Sequence, residues 1–385
     1  MAYARLVPCG APVPAEVNVY GSRSFRRFIQ AVDQRVADLH PAYFAMSMAT
    51  GVVAMASHLL GLLLIAKVLL GINVLVYPTL LGITVTRIVR HRARFIADAS
   101  DHKRSVGLFT TVAATSILGS QFAVVGQNLS VGRWLLWPAV GLWAACMYSV
   151  FTLLTVRERK PTLAEGINGG WLTAVVATQS ICVLGCLVAP SFGAHQDLLL
   201  FTLLTFWLCG GMLYIWTISL IFYRYMFFRF QPSDLMPPYW INMGAMAISS
   251  LAGAMLIRNA PASALLRELL PFLKGFSLWY WATATWWIPM LVILAVWRHG
   301  VKRFPLTYDP LYWGAVFPLG MYTVATFRIA AVAGLPALVE LPRYSVYVAL
   351  AAWAATFAGL LRRLKSIGWP SALGGRGEAI APPAT

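Results

Sequence analysis

The sequence predicts an all-α integral membrane protein, and three observations predict it. Of its 385 residues, 59% are apolar and only 11% are charged, against roughly 25% charge in soluble domains. The apolar residues gather into ten stretches, approximately 42–61, 62–86, 106–126, 132–156, 167–189, 197–223, 239–257, 270–297, 310–330 and 343–361. Each is near the ~20 residues that cross ~30 Å of hydrocarbon at ~1.5 Å per residue. Finally, the cations alternate. Twenty-three of the 30 Lys and Arg lie in the N-terminal tail, the 2–3, 4–5, 6–7 and 8–9 connections and the C-terminal tail. Only Lys67, Arg133, Arg258, Arg267, Lys274, Arg328 and Arg343 fall elsewhere. The positive-inside rule then puts both termini in the cytoplasm. So placed, the net charge of +17 reads as topology and not as a nucleic-acid surface.

Three segments follow in order: a cytoplasmic tail (1–40), a ten-helix transmembrane domain (41–365) and a flexible cytoplasmic tail (366–385). In the first, Ser24 is placed to cap an amphipathic helix. Phe25, Phe28, Ile29, Val32, Val36 and Leu39 share one face, with Arg26, Arg27, Asp33 and Arg35 elsewhere. Such a helix suits the membrane interface or a seat on the cytoplasmic loops. The first 40 residues hold no apolar signal-peptide core, so span 1 itself directs insertion.

Span 1 opens Pro41-Ala42-Tyr43-Phe44, span 7 Pro237-Pro238-Tyr239-Trp240 and span 9 Pro310-Leu311-Tyr312-Trp313. Proline suits a first helical turn, where its missing donor is not needed, and aromatics suit the interface. Span 5 keeps only Trp171 of this pattern and span 3 none. Three openings from the same side predict a repeated two-span unit, five hairpins all pointing one way. The odd spans are richer in small and hydroxylated residues, among them Ser47, Thr50 and Gly51, Thr111 and Thr115, Thr178, Asn242 and Ser249, and Gly320 and Thr323. Such residues suit either a polar path or helix–helix contacts. Even spans carry more Leu and Trp, as in Trp134–Trp137 and Trp286-Trp287.

Span 9 contains Phe317-Pro318-Leu319-Gly320. Proline removes a backbone donor and clashes with the preceding turn, and broken helices point to a translocation path. The pattern equally fits a kinked packing helix.

Several chemistries find no residues. No Asp or Glu lies deep in a span, which disfavours cation or proton relays. There is no HExxH, GxSxG or GxxxxGK[ST], and the six His are scattered, so no enzyme, metal site or cofactor is expected. Cys9, Cys146, Cys182, Cys186 and Cys209 form no disulfide framework. Cys182 and Cys186 share a helical face and read as packing. What remains is a neutral path with a basic cytoplasmic mouth, which would concentrate anions. A membrane scaffold or sensor, whose basic tails bind partners or anionic lipid, is the competing class.

His40–Val53 (HPAYFAMSMATGVV) and Tyr312–Thr323 (YWGAVFPLGMYT) resemble the tellurite-resistance/dicarboxylate transporter family. That family includes bacterial tellurite-resistance channels, plant slow anion channels, fungal malate carriers and fungal sulfite exporters. The resemblance covers roughly 38–365. It implies odd helices as an inner pore ring, a homotrimer with one pore per subunit, and a bacterial-type inner-membrane location. It also implies a gating phenylalanine at Phe317, beside Pro318, for small anions such as chloride, nitrate, sulfite or a C4-dicarboxylate. An aromatic across an apolar tube gates by obstruction and dewetting. If the protein is a malate or sulfite carrier, Arg328 is the candidate anion contact; otherwise it snorkels to the outer surface.

Overall fold

The computed structural model describes residues 29–368. The start of the expected amphipathic helix, Ser24 to Phe28, lies outside them, as do Cys9 and 369–385. Residues 29–37 are helical and are tied to the chain after the second long helix by Asp33 to Arg90 and His91, and Asp38 to Arg94.

Ten long helices follow: α1 (Ala45–Leu59), α2 (Leu63–Arg90), α3 (Phe109–Val124), α4 (Leu129–Val156), α5 (Thr173–Val188), α6 (Gln196–Phe227), α7 (Ile241–Asn259), α8 (Leu270–Val296), α9 (Trp313–Ala333) and α10 (Glu340–Gly368). Among the described residues, nine stretches are long and apolar enough to cross a membrane, because Gly169–Phe227 counts as one of 59 residues. As a single helix it would run to ~88 Å. It is divided by the turn Ala189–His195, where Gly193 takes φ 54° and ψ −124°, leaving α5 and α6.

The odd helices close a ring in which α1 packs on α3, α3 on α5, α5 on α7, α7 on α9 and α9 back on α1. Each even helix packs on the odd helix before it. Further contacts of α2 with α3, α4 with α5, α6 with α7, α8 with α9 and α10 with α1 seat it in an outer groove. Burial follows this layering: 67–89% of each separate odd span is buried, against 11–22% of each separate even span. The protein is therefore an all-α membrane protein of two concentric layers. Trp134, Trp216, Trp286 and Tyr344 stand exposed on the outer one, where lipid is an adequate solvent.

All five odd helices begin with a 3₁₀ turn, including the two without the proline pattern, Ser105–Leu108 and Gly169–Leu172. His40, Asn168 and Asp309 cap these turns, their side chains accepting from the amides of Ala42, Gly170 and Leu311. In each of the first four hairpins, an arginine ending the even helix donates to a carbonyl of the chain leading into its own odd helix. Arg87 reaches Ala37 at 3.0 Å and Arg224 reaches Ile167 at 2.8 Å, with Arg157 on Ser100 and Arg298 on Leu235. These cations do more than set topology. They tie each outer helix to the start of its inner partner.

The expected break in span 9 is absent: α9 is one continuous helix of 21 residues. Pro318 lies in its second turn, where only the bond to Gly314 is lost and a φ near −65° suits the helix.

Candidate functional site

The opening turns of the five odd helices converge on one cavity of ≈100 Å³. Ala45, Thr110, Thr173, Ile241 and Gly314, one from each odd helix, line it together with His40, Lys103 and Asn168. Two of these residues also join neighbouring turns. The Thr110 hydroxyl lies 3.3 Å from the Pro41 carbonyl, and the Thr173 hydroxyl donates to the Val106 carbonyl at 2.6 Å. Five helix N-termini thus point at one space, each equivalent to roughly half a positive charge. Among the described residues no acidic side chain lines it, and Lys103 does. Helix ends and Lys103 together favour a negative occupant over a positive one.

His40 adds a donor without a charge. Burial, reinforced by the nearby Arg104, lowers its pKa to about 4. Its Nδ1 accepts from the Ala42 amide, so the neutral ring carries its proton on Nε2. Just outside, burial alone would raise the Asp98 carboxyl, yet the Arg104 and Arg87 guanidiniums bonded to it hold it below the usual range.

Deeper in, the contacts of α9 fix its orientation. A Cβ added to Gly320 would lie 2.9 Å from Val52 of α1, and one added to Gly244 of α7 would lie 2.7 Å from Pro318. Tyr322 bonds Thr285 and Thr326 bonds Trp281, both on α8, and Thr323 bonds Ser345 on α10. At ~100° per residue, the face left between α1 and α7 carries Gly314, Phe317, Met321, Val324 and Arg328. This face turns to the ring's axis. Phe317 is fully buried, Met321 and Val324 are buried, and Arg328 at the far end is half-buried. Phe317 lies three residues beyond Gly314, or ~4.5 Å inward from the cavity. Counting three residues in from the other mouth positions gives Met48, Ala113, Val176 and Gly244. All four residues are smaller than phenylalanine, and one is a glycine.

Most of the hydroxyls expected on the path bond within or between the helix layers, whereas among the described residues the Ser47 hydroxyl and the Asn242 side-chain carbonyl oxygen are buried without a partner. Thr50 accepts from the Trp353 indole at 3.0 Å, Thr178 from the Trp143 indole at 2.8 Å, and Thr115 pairs with Tyr77 at 2.7 Å. Thr323 bonds Ser345, and Asn242 donates to Tyr225. The Ser249 hydroxyl bonds the Ala245 carbonyl in its own helix, while the Ser249 carbonyl accepts from Trp207. Each of these partners outside the inner ring sits on an even helix. Gly51 backs onto Ile117 of α3, and Gly320 onto α1. Ser47 and Thr111 are buried within the inner layer.

What the sequence reading missed is the mouth itself: His40, Lys103, Asn168 and the Thr110/Thr173 pair. The signal was a capping side chain one residue before the opening turn, present three times as His40, Asn168 and Asp309. Among the described residues no group of three His, Cys, Asp or Glu could hold a metal, and Cys182 and Cys186 are free and buried.

A family model described as voltage-dependent anion channel, SLAC1, matches residues 38–361. An uncharacterized membrane protein of Mycobacterium tuberculosis is 40% identical over 154 residues, 40% of this chain and 77% of that protein. An uncharacterized transporter of Methanocaldococcus jannaschii is 25% identical over 340 residues, 86% of this chain and 95% of that one. The sulfite efflux pump SSU1 of Trichophyton rubrum is 25% identical over 348 residues, 84% and 90% of the two chains.

Proposed function

Since the chain belongs to the SLAC1 voltage-dependent anion channel family, we propose that small anions cross the membrane along the axis of its inner ring, with Phe317 as the gate. In this reading the ten helices are ten crossings, and both termini and the mouth cavity face the cytoplasm.

The observation that carries it is the mouth: five helix N-termini and Lys103 around a cavity that no acidic side chain lines among the described residues, with Phe317 one turn inward of Gly314 along α9. An anion entering gains the field of five aligned helix ends and meets neutral donors from His40 and Asn168. A cation meets the opposite field. Beyond the mouth the axis is lined by Met321 and Val324, so it conducts only when water follows the ion past the phenyl ring. Pro318 has a supporting role. Seated on Gly244, it fixes the register of α7 against α9 and so sets where the ring stands.

A second reading, a carrier for sulfite or a C4-dicarboxylate, is favoured by one observation. Arg328 shares the axial face and is half-buried at its outer end, where it could hold a divalent anion. One assay covers both. In planar bilayers under a potassium chloride gradient, the reversal potential should lie at the chloride equilibrium value. A value at the potassium equilibrium would overturn anion selectivity. Flux of sulfite or malate exceeding that of chloride and nitrate, and lost in Arg328→Gln, would select the carrier. The family resemblance supports a homotrimer in an inner membrane.

A further inference from the structure

The fifth hairpin lacks the closure seen in the other four. Arg362 and Arg363 lie near the end of α10, which runs on to Gly368, as Arg87, Arg157, Arg224 and Arg298 lie near the ends of their helices. Among the described residues, however, neither is bonded to a carbonyl or a carboxylate, and Arg363 stands 6.0 Å from the centre of the Tyr308 ring. Tyr308 in turn lies over Gly359, 2.7 Å from where a Cβ would be. Beside this arrangement a groove of ≈820 Å³ opens between α9 and α10.

We infer that this groove binds an anionic phospholipid of the cytoplasmic leaflet, with an acyl chain along α10 and the phosphate at Arg362 and Arg363. Its shape is that of a lipid. It follows α10 from Ala352 to Ser366, ~21 Å of helix, which spans one leaflet's ~15 Å of hydrocarbon plus a headgroup. Its apolar end is floored by small side chains, Ala352 and Ala355, and walled by Leu319 of α9. Both cations sit at the other end, at headgroup depth, where each contributes attraction to anionic lipid. A soluble anion would leave the apolar length unfilled, and a zwitterionic lipid would bring a choline cation beside the arginines together with its phosphate.

The groove lies behind the gate. Leu319 is two positions from Phe317, ~200° round the helix, so an occupant presses on the face of α9 opposite the phenyl ring. Any effect on flux rests on the anion-pathway reading, whereas lipid retention does not.

The test is native mass spectrometry of the purified full chain exchanged into phosphatidylglycerol or phosphatidylcholine of identical acyl chains. The wild type should retain phosphatidylglycerol preferentially. The double variant Arg362→Gln/Arg363→Gln should retain it about thirtyfold less, two cations being removed. Arg362→Lys/Arg363→Lys should stay within about threefold of wild type. Ala355→Trp, which fills the groove and keeps both cations, should also lose retention, while melting temperatures report folding. Equal retention of both lipids, or a double variant like wild type, would overturn the proposal. So would displacement of the lipid by soluble glycerol phosphate, which would mean a headgroup site alone. Cross-linking of the Ala355→Cys variant to a second protomer would overturn it too, because a copy of this chain would then cover the groove.

Discussion

The two layers are held together by different means. Inner helices meet through removed side chains: Gly51 against Ile117, Gly244 against Pro318 and Gly320 against Val52 are places where an added Cβ would overlap a neighbour. Outer helices also meet inner ones at glycines, as at Gly185 against Leu203 and Gly253 against Ser277, but they add polar hooks, the Trp143, Tyr77 and Trp353 side chains on inner-ring threonines and the terminal arginines on carbonyls of the chain leading into the odd helices. Close backbone approach fixes an inner ring whose bore is set by single side chains. Polar hooks between layers average only ~0.6 kcal/mol each in a membrane, so they hold register without freezing the helices they attach. The contrast teaches that many of the hydroxyls in the odd helices mark the joint between layers.

The largest effect is expected where a hook also carries a buried charge. Arg87→Met would orphan one side of Asp98, which then keeps only Arg104. Breaking a buried pair costs ~3–5 kcal/mol, and Arg104 should hold the loss near the lower end. Thermal melting in detergent should show it, and an unchanged melting temperature would mean that the hooks are dispensable. On the inner side, Gly244→Val places its Cβ against Pro318. Overpacking of this kind costs ~1–3 kcal/mol, and the shifted α9 should alter flux by more than it lowers stability. Tolerance of valine with wild-type flux would break the contrast from the inner side.

A smaller effect sharpens the contrast at the mouth. The folded His40 titrates near 4 instead of the usual 6.5, so the unfolded chain binds this proton more readily. Its contribution is full above pH 6.5 and falls as pH drops toward 4. His40→Asn keeps a capping acceptor without the titration, so its stability should decline less steeply than wild type over that window. Parallel pH profiles would show that His40 does not sense pH.

Much of this architecture was legible because the bilayer imposes it. Apolar stretches of the right length and alternating cations gave the spans, and the Pro-x-Tyr-aromatic openings at Pro41, Pro237 and Pro310 gave the hairpin repeat. The repeat runs deeper than its letters, since Ser105–Leu108 and Gly169–Leu172 make the same turn without proline. A 3₁₀ turn needs a cap and a short reach, and several sequences supply that. Pro318 misled because its effect depends on distance from the helix start, which the sequence leaves uncertain by a turn. Thr50, Thr115 and Thr178 were ambiguous for another reason. Hydroxyls satisfy a neighbouring helix as readily as an ion, and the indoles and phenol that bond them lie on outer helices, 35, 38 and 303 residues away along the chain. The mouth was legible only as the basic end of the chain's spans, because its lining is assembled from two to four residues of each of five hairpins.

The most direct test of the central claim removes the ring that stands in the axis. Phe317→Ala, reconstituted in planar bilayers, should raise chloride conductance at least tenfold while the reversal potential stays at the chloride value. Conductance no greater than wild type, with melting behaviour intact, would contradict a gate at Phe317.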